Sequence, residues 1–386
     1  MAKYSLDKVV ARAAAVARDV AAPHASDVDD RARWPEEAMR ALQEAELGGL
    51  TVPEHAGGLG HGLVALARVC EVLARECASS AMCFGMHAVG SAVLAAKATP
   101  TQTERYLVPI AAGEHLTTLT LSEPGTGAHF WMPQTALGRV DDGFVVTGRK
   151  AFVTNGGHAD SYVVSTVAAD DAAPLGEFSC VVIDHHADGL EWGPPWEGLG
   201  MRGNSSRSVE LDDVRIPEAG LLGEPGDQIW FVFNVIAPHF LVAMAGTYLG
   251  VAAGGFEDMR RHVTQRRHSH TGSRLAEQPV IQHRVGTMWA NVERTRRLLH
   301  GAAEAGDSAW PDALPLLTAA KAEVAECATG TINDAMTLVG GIGYREHGTL
   351  GRRLRDARAA HVMSPTTDLL RLWTGRAVLG EHLLAE

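Results

Sequence analysis

Residues 118–131, TLTLSEPGTGAHFW, contain the first group of side chains and main-chain donors able to bind a small molecule. An alternating apolar strand breaks there into Glu123-Pro124-Gly125-Thr126-Gly127. Two glycines and a proline let main-chain N–H groups converge on one side of such a turn, where they can hold an anion or the polar edge of a flat cofactor. Taken alone, a Pro-Gly or Gly-x-Gly turn more often just reverses the chain. A second group is Ser364-Pro365-Thr366-Thr367-Asp368. Serine at the N-cap, proline at the first helical position and an acid in the first turn predict a helix start, with free N–H groups along its axis. The 18 histidines invite a metal site around His262, His268 and His270. No Cys or carboxylate pattern accompanies them, so no metal is expected.

The elements that must position these groups fall into three regions. A chain of 386 residues exceeds what one hydrophobic core serves, so two or three domains are expected. Residues 1–118 read as helices, with 36–47, 63–78 and 81–96 the clearest. Residues 119–225 change to short alternating strands punctuated by Gly, Pro and Asp, which predicts a small β domain. Residues 226–386 return to helices over 229–259, 279–305, 315–338 and 365–384, predicting an antiparallel four-helix bundle.

Composition narrows the classes further. A net charge of −12 argues against a broad nucleic-acid surface. Five cysteines without a CxxC pair suggest reduced thiols and a cytoplasmic protein. The first twenty residues mix charges through their apolar positions, unlike a secretory signal, and Val9, Ala13, Val16 and Val20 recur at helical spacing. Two charge-free stretches, 78–96 and 229–256, are long enough to span a membrane. His87 and Ser91 in the first, and Asn234, Pro238 and His239 in the second, instead predict buried helices and no membrane span.

Five further stretches accompany the glycine turn: Leu50 to Gly60 (LTVPEHAGGLG), the strand 143–157 (GFVVTGRKAFVTNGG), Val209 to Gly223, Leu338-Val339-Gly340-Gly341-Ile342-Gly343-Tyr344 and Arg355-Asp356-Ala357-Arg358. In this order and spacing the chain resembles the acyl-CoA dehydrogenase family over nearly its whole length. The resemblance implies an α+β fold: an N-terminal helical domain, a small central β domain and a C-terminal four-helix bundle. It implies FAD between the β domain and the bundle, with Leu121 and Ser122 against the pyrimidine edge and Phe152, Val153 and Thr154 beside the ring. Gly127, Gly340, Gly341 and Thr366 complete the implied cofactor set. The implied substrate is an acyl thioester on CoA or an acyl carrier protein, oxidised at its α,β carbons. Electron-transfer flavoprotein, oxygen or a flavin reductase would be the redox partner, and the assembly would be a homodimer or homotetramer.

The chain also departs from the pattern it resembles. Gly127-Ala128-His129 stands where the family has Gly-Ser-Asp, and the family's Arg-x-x-Phe-Gly aligns with His268 to Gly272, leaving Arg267 one position out of register. Pro279 and Thr337 replace two glutamines. Each change removes one polar contact. The family's usual catalytic glutamate falls at Ser364, and its alternative location falls near Phe240, and neither side chain can take a substrate α-proton. His361, Asp368 and His239 are the replacement-base candidates. Loss of the glutamate leaves two alternatives open beside dehydrogenation. One is a flavin-dependent monooxygenase on the same fold, and the other is a flavin-free member with a non-redox role.

Overall fold

The computed structural model describes residues 4–169 and 177–384. Seven helices come first: α1 (Leu6–Val16), α2 (Ala22–Asp30), α3 (Glu36–Glu44), α4 (Leu63–Ala74), α5 (Ala78–Ala96), α6 (Pro100–Gln102) and α7 (Val108–Ala112). Ser5 caps α1 by accepting from the Lys8 N–H, and Val9, Ala13 and Val16 are buried in a row. All of Ala78 to Leu94 in α5 is buried, as a helix that is apolar all round must be. Its polar residues are satisfied inside: His87 Nε2 donates to Gly48 O at 2.9 Å, and Nδ1 accepts from Thr117 N at 3.1 Å. Burial pulls the pKa of this histidine down to about 4, so it stays neutral while tying α5 to the first strand.

The strands are β1 (Thr117–Thr120), β2 (Ala136–Val140), β3 (Gly143–Val153), β4 (Ser161–Ala168), β5 (Phe178–Asp184), β6 (Leu190–Trp192), β7 (Arg207–Pro217) and β8 (Leu221–Leu222). They form one mixed sheet in the order β6-β7-β3-β2-β4-β5-β8, with β1 pairing β4 in parallel. β4 lies inside the sheet and is buried from Ser161 to Thr166, whereas β7 alternates buried and exposed residues with one face in water. The β3–β7 ladder is irregular between Lys150 and Val153. There Phe152 takes a left-handed backbone (φ 56°) and is turned out, 65% exposed.

The C-terminal region holds α8 (Gln228–Phe231), α9 (Ala237–Gln265), α10 (Pro279–Asp307), α11 (Ala313–Val339), α12 (Thr349–Val362) and α13 (Thr367–Leu379). Four of these occupy the stretches expected from the sequence, and α12 is an additional helix. Its buried residues are Leu350, Arg353, Asp356, Ala357 and Ala360, so two of its five core positions are charged and the apolar period is broken. The last helix begins two residues later than its serine-proline start suggests. Thr366, not Ser364, is the N-cap, accepting from Leu369 N at 3.4 Å, and the Ser364–Pro365 peptide is cis. α12 is also the junction between domains. Arg355 pairs with Asp29 of α2 at 2.9 Å, and Asp356 accepts from Met201 N at 2.7 Å. A side chain at Gly200 would stand 2.3 Å from Arg355 O, so only glycine fits that contact.

Candidate active site

A cavity of about 710 Å³ opens where the sheet meets the C-terminal helices, within the size range of small-molecule sites. One wall is the turn after β1, Ser122 to Gly125 with Gly127 and Ala128, continued by Phe152 and Thr154 at the end of β3. Opposite stand Ala237, Phe240 and Leu241 of α9, and the segment Val362 to Thr366 that links α12 to α13. Met82 and Met86, one turn apart on α5, line it as well, and Trp196 and Ser206 come from the β6–β7 connection.

A buried ion pair sets the turn. Lys150, fully buried on β3, donates to Glu123 Oε1 at 2.5 Å, to Ser165 O at 2.6 Å and to Ser165 Oγ at 3.1 Å. The same carboxylate accepts from Gln134 N at 2.7 Å and from the Thr135 N–H and hydroxyl. Burial pushes the Glu123 carboxyl up, but the Lys150 charge and these donors outweigh it and hold its pKa below the usual range. Burial likewise brings the Lys150 ammonium down to about 8. With its acid consumed internally, the turn is free to aim its outer face at a ligand. Gly125 (φ 91°) and Gly127 (φ 53°) supply the left-handed backbone, and a Cβ at either would meet nothing within 4 Å. Behind the turn, Trp131 packs 5.4 Å from the fully buried Trp373 of α13, fastening the β domain to the bundle.

Thr154 presents its hydroxyl beside that of Ser206 at 3.4 Å, and its carbonyl accepts from Thr118 Oγ1 at 2.9 Å. Asn155 next to it (φ 61°) donates to Cys83 O and accepts from Trp34 Nε1, both at 2.9 Å, which anchors this corner to α5 and to the N-terminal helices. Phe152 meets Trp196 edge-on at 6.0 Å, forming an apolar lip. The arrangement suits a flat, partly polar ring: the lining combines hydroxyls and turn amides with aromatic and methionine side chains.

Comparison with known proteins agrees with this layout. The chain matches the acyl-CoA dehydrogenase N-terminal domain over residues 5–114, the middle domain over 118–214 and the C-terminal domain over 239–379. It is 30% identical over 368 residues to cyclohex-1-ene-1-carbonyl-CoA dehydrogenase of Geobacter metallireducens, covering 94% of this chain and 96% of that one. The chain belongs to the acyl-CoA dehydrogenase family. Among solved structures it is similar to butyryl-CoA dehydrogenase from Megasphaera elsdenii, with a TM-score of 0.90, 24% identity, and 97% and 98% of the two chains covered. It is also similar in fold to PigA with FAD and proline, with a TM-score of 0.86, 19% identity and 98% of each chain covered.

Within this acyl-CoA dehydrogenase fold, Leu121, Ser122, Gly127, Phe152, Thr154, Ser364 and Thr366 all line the cavity, as does Phe240. Val153, between Phe152 and Thr154, is buried and does not line it. Gly340 and Gly341 are exposed at the end of α11 and do not line the cavity of a single chain. The three replacement-base candidates do not line it either. Both ring nitrogens of His361 are engaged, Nδ1 with the Thr367 hydroxyl at 3.1 Å and Nε2 with that of Thr329 at 3.2 Å, and burial lowers its pKa. His239 Nδ1 donates to Val235 O at 2.8 Å along its own helix, with a pKa lowered by burial. Asp368 is exposed. The hydroxyl of Ser364 is buried without a hydrogen-bond partner. His268 and His270 lie in an exposed loop, and no group of three or more metal-ligating side chains occurs among the described residues.

Sequence reasoning missed the Glu123–Lys150 pair and the methionines of α5. An acid in a glycine turn gives no hint that a lysine 27 positions on lies under it. Met82 and Met86 do carry a signal, since residues four apart share a helix face.

Proposed function

We propose that this protein is an FAD-dependent oxidoreductase acting on an acyl thioester, carried by CoA or a carrier protein, with dehydrogenation at the α,β carbons as the reaction. The observation that carries the reading is that Ser122, in the turn after β1, and Thr154, just past β3, open onto one cavity walled by Phe152, Met82 and Met86. The residues fit the cofactor: an open glycine turn, a hydroxyl pair and a lip of aromatic rings surround a space of suitable volume. Ser122, Gly127, Phe152, Thr154 and Thr366 would hold FAD, which when bound supplies an acceptor for two electrons. Thr154 Oγ1 would place a donor where negative charge develops on the reduced ring. Leu119, Phe130, Phe240 and Leu241 would take the acyl chain and keep water out. Electron-transfer flavoprotein is the redox partner consistent with this reading.

A second reading, a flavin-dependent monooxygenase fed by oxygen and a separate flavin reductase, is favoured by one specific observation. Glu123 is the one titratable side chain among the described residues that line the cavity, and both its oxygens are occupied. A group so engaged cannot serve as general base, and loss of a base costs roughly 10²–10⁴ in rate. Mixing FAD-loaded protein with acyl thioesters without air separates the readings. Under dehydrogenation the visible flavin absorption bleaches. Under monooxygenation it persists, and reduced flavin with oxygen yields a hydroxylated product. A protein that takes up no FAD overturns both.

A further inference from the structure

Lys321 sits in the first half of α11, 1% exposed, and among the described residues no carboxylate pairs with it. Its ammonium donates instead to three main-chain carbonyls: Ala360 O at 2.8 Å, Met363 O at 3.2 Å and Pro365 O at 2.9 Å. These acceptors straddle Ser364. An ammonium has three N–H donors, so each finds one acceptor. Ala360 O belongs to the last turn of α12, where carbonyls lack intrahelical partners and a cation is favoured.

Besides Lys321, the segment so held is bracketed by the His361 ring, which meets the Thr367 hydroxyl at 3.1 Å and the Thr329 hydroxyl of α11 at 3.2 Å. Met363 N closes back on Ala359 O, and Leu370 N on Thr366 O, but no backbone pair spans the residues between. Tyr248 adds a weak contact from its hydroxyl to Met363 Sδ at 3.6 Å. Yet Val362, Met363, Ser364, Pro365 and Thr366 together form one wall of the cavity. A buried charge without a counter-ion is costly, and burial alone draws the pKa of Lys321 down to about 7. The cost is offset by the three hydrogen bonds to carbonyls, two of them in a strap that secondary structure leaves unsupported.

We propose that Lys321 is a positioning residue: it ties residues 360–365 across α11 and so fixes the cavity wall that carries the unpaired Ser364 hydroxyl and Thr366. The inference rests on the cavity being a ligand site, and its test has one arm that does not depend on ligand. In Lys321→Met, the volume is kept while the three donors are lost. Hydrogen exchange of the full chain should then show amides 361–368 exchanging at least ten-fold faster, with the β domain and α10 unchanged. FAD affinity, read by quenching of flavin fluorescence, should weaken at least five-fold under conditions where melting curves show both proteins fully folded. Lys321→Gln, with two N–H donors on a shorter stem, covers the case in which the Met variant does not fold, and should give the same local pattern at smaller amplitude. Unchanged exchange over 361–368, or faster exchange spread evenly over the molecule, overturns the proposal. Local loosening with unchanged FAD affinity overturns the claim that the strap shapes the site. If the wild-type protein takes up no FAD, the proposed function fails while the exchange arm still decides the role of Lys321.

Discussion

At the scale of single residues, the site depends on where buried charge is placed. Glu123 and Lys150 are 3% and 0% exposed, so each is tolerable only because of the other. Replacing Lys150 with Met strands the carboxylate beneath the turn and is expected to cost about 3–5 kcal/mol of unfolding free energy. The double replacement Lys150→Met with Glu123→Gln should recover part of it, since no unpaired charge remains. Urea denaturation of the two variants beside the wild type measures this, and a Lys150→Met loss no greater than that of a surface pair, about 1 kcal/mol, would sink the account. Neither residue announces its burial in the sequence. A lysine in a strand ordinarily points to water, and the acceptors that hold this one inward, Glu123, Ser165 and Leu121 O, are 15 to 29 residues away.

At the scale of elements, α12 decides how the domains meet. Its Asp356 is buried, and burial raises the pKa of the carboxyl to about 6 from the ordinary 3.8. The folded protein therefore holds this proton more tightly than the unfolded chain does. The resulting stabilisation is complete below about pH 4 and is lost as pH rises through about 6. Asp356→Asn keeps an acceptor for Met201 N and cannot ionise. It is expected to flatten stability between pH 4 and 6, and to be more stable than wild type at pH 7 by about 1–3 kcal/mol. Denaturation midpoints across that pH range check this, and parallel curves for the two proteins would contradict it. The helix itself was hard to read because Arg353 and Asp356 occupy its inner face, where a periodic pattern needs apolar residues. By contrast α1 and α5 were legible, since Val9, Ala13 and Val16, and the unbroken apolar run of α5, state their own burial.

At the scale of the whole molecule, several large apolar side chains lie outside any core of the single chain. Val280 on α10 is 65% exposed, and Ile342 and Tyr344 beyond α11 are 54% and 81% exposed, beside Gly340 and Gly341. Surfaces of this kind favour association. A homodimer or homotetramer is the expected state in solution, and a light-scattering mass equal to one 386-residue chain would rule it out. The long apolar helices raise no separate membrane expectation for α5, because its most hydropathic window is 94% buried inside the fold.

The sequence by itself determined what depends on neighbours along the chain: helical and strand periods, the turn glycines at 125 and 127, and the order of motifs that marks the family. It also showed that no glutamate stands at position 364 or 240. What only the tertiary structure decided is which polar groups meet. Lys321 reaches carbonyls 39 to 44 residues away, and His361 is taken up by Thr329 and Thr367 rather than by the cavity. Hydrogen bonds act over about 3 Å. Main-chain acceptors are the same at every residue, so no pattern of residue types along the chain can name such partners before the fold brings them together.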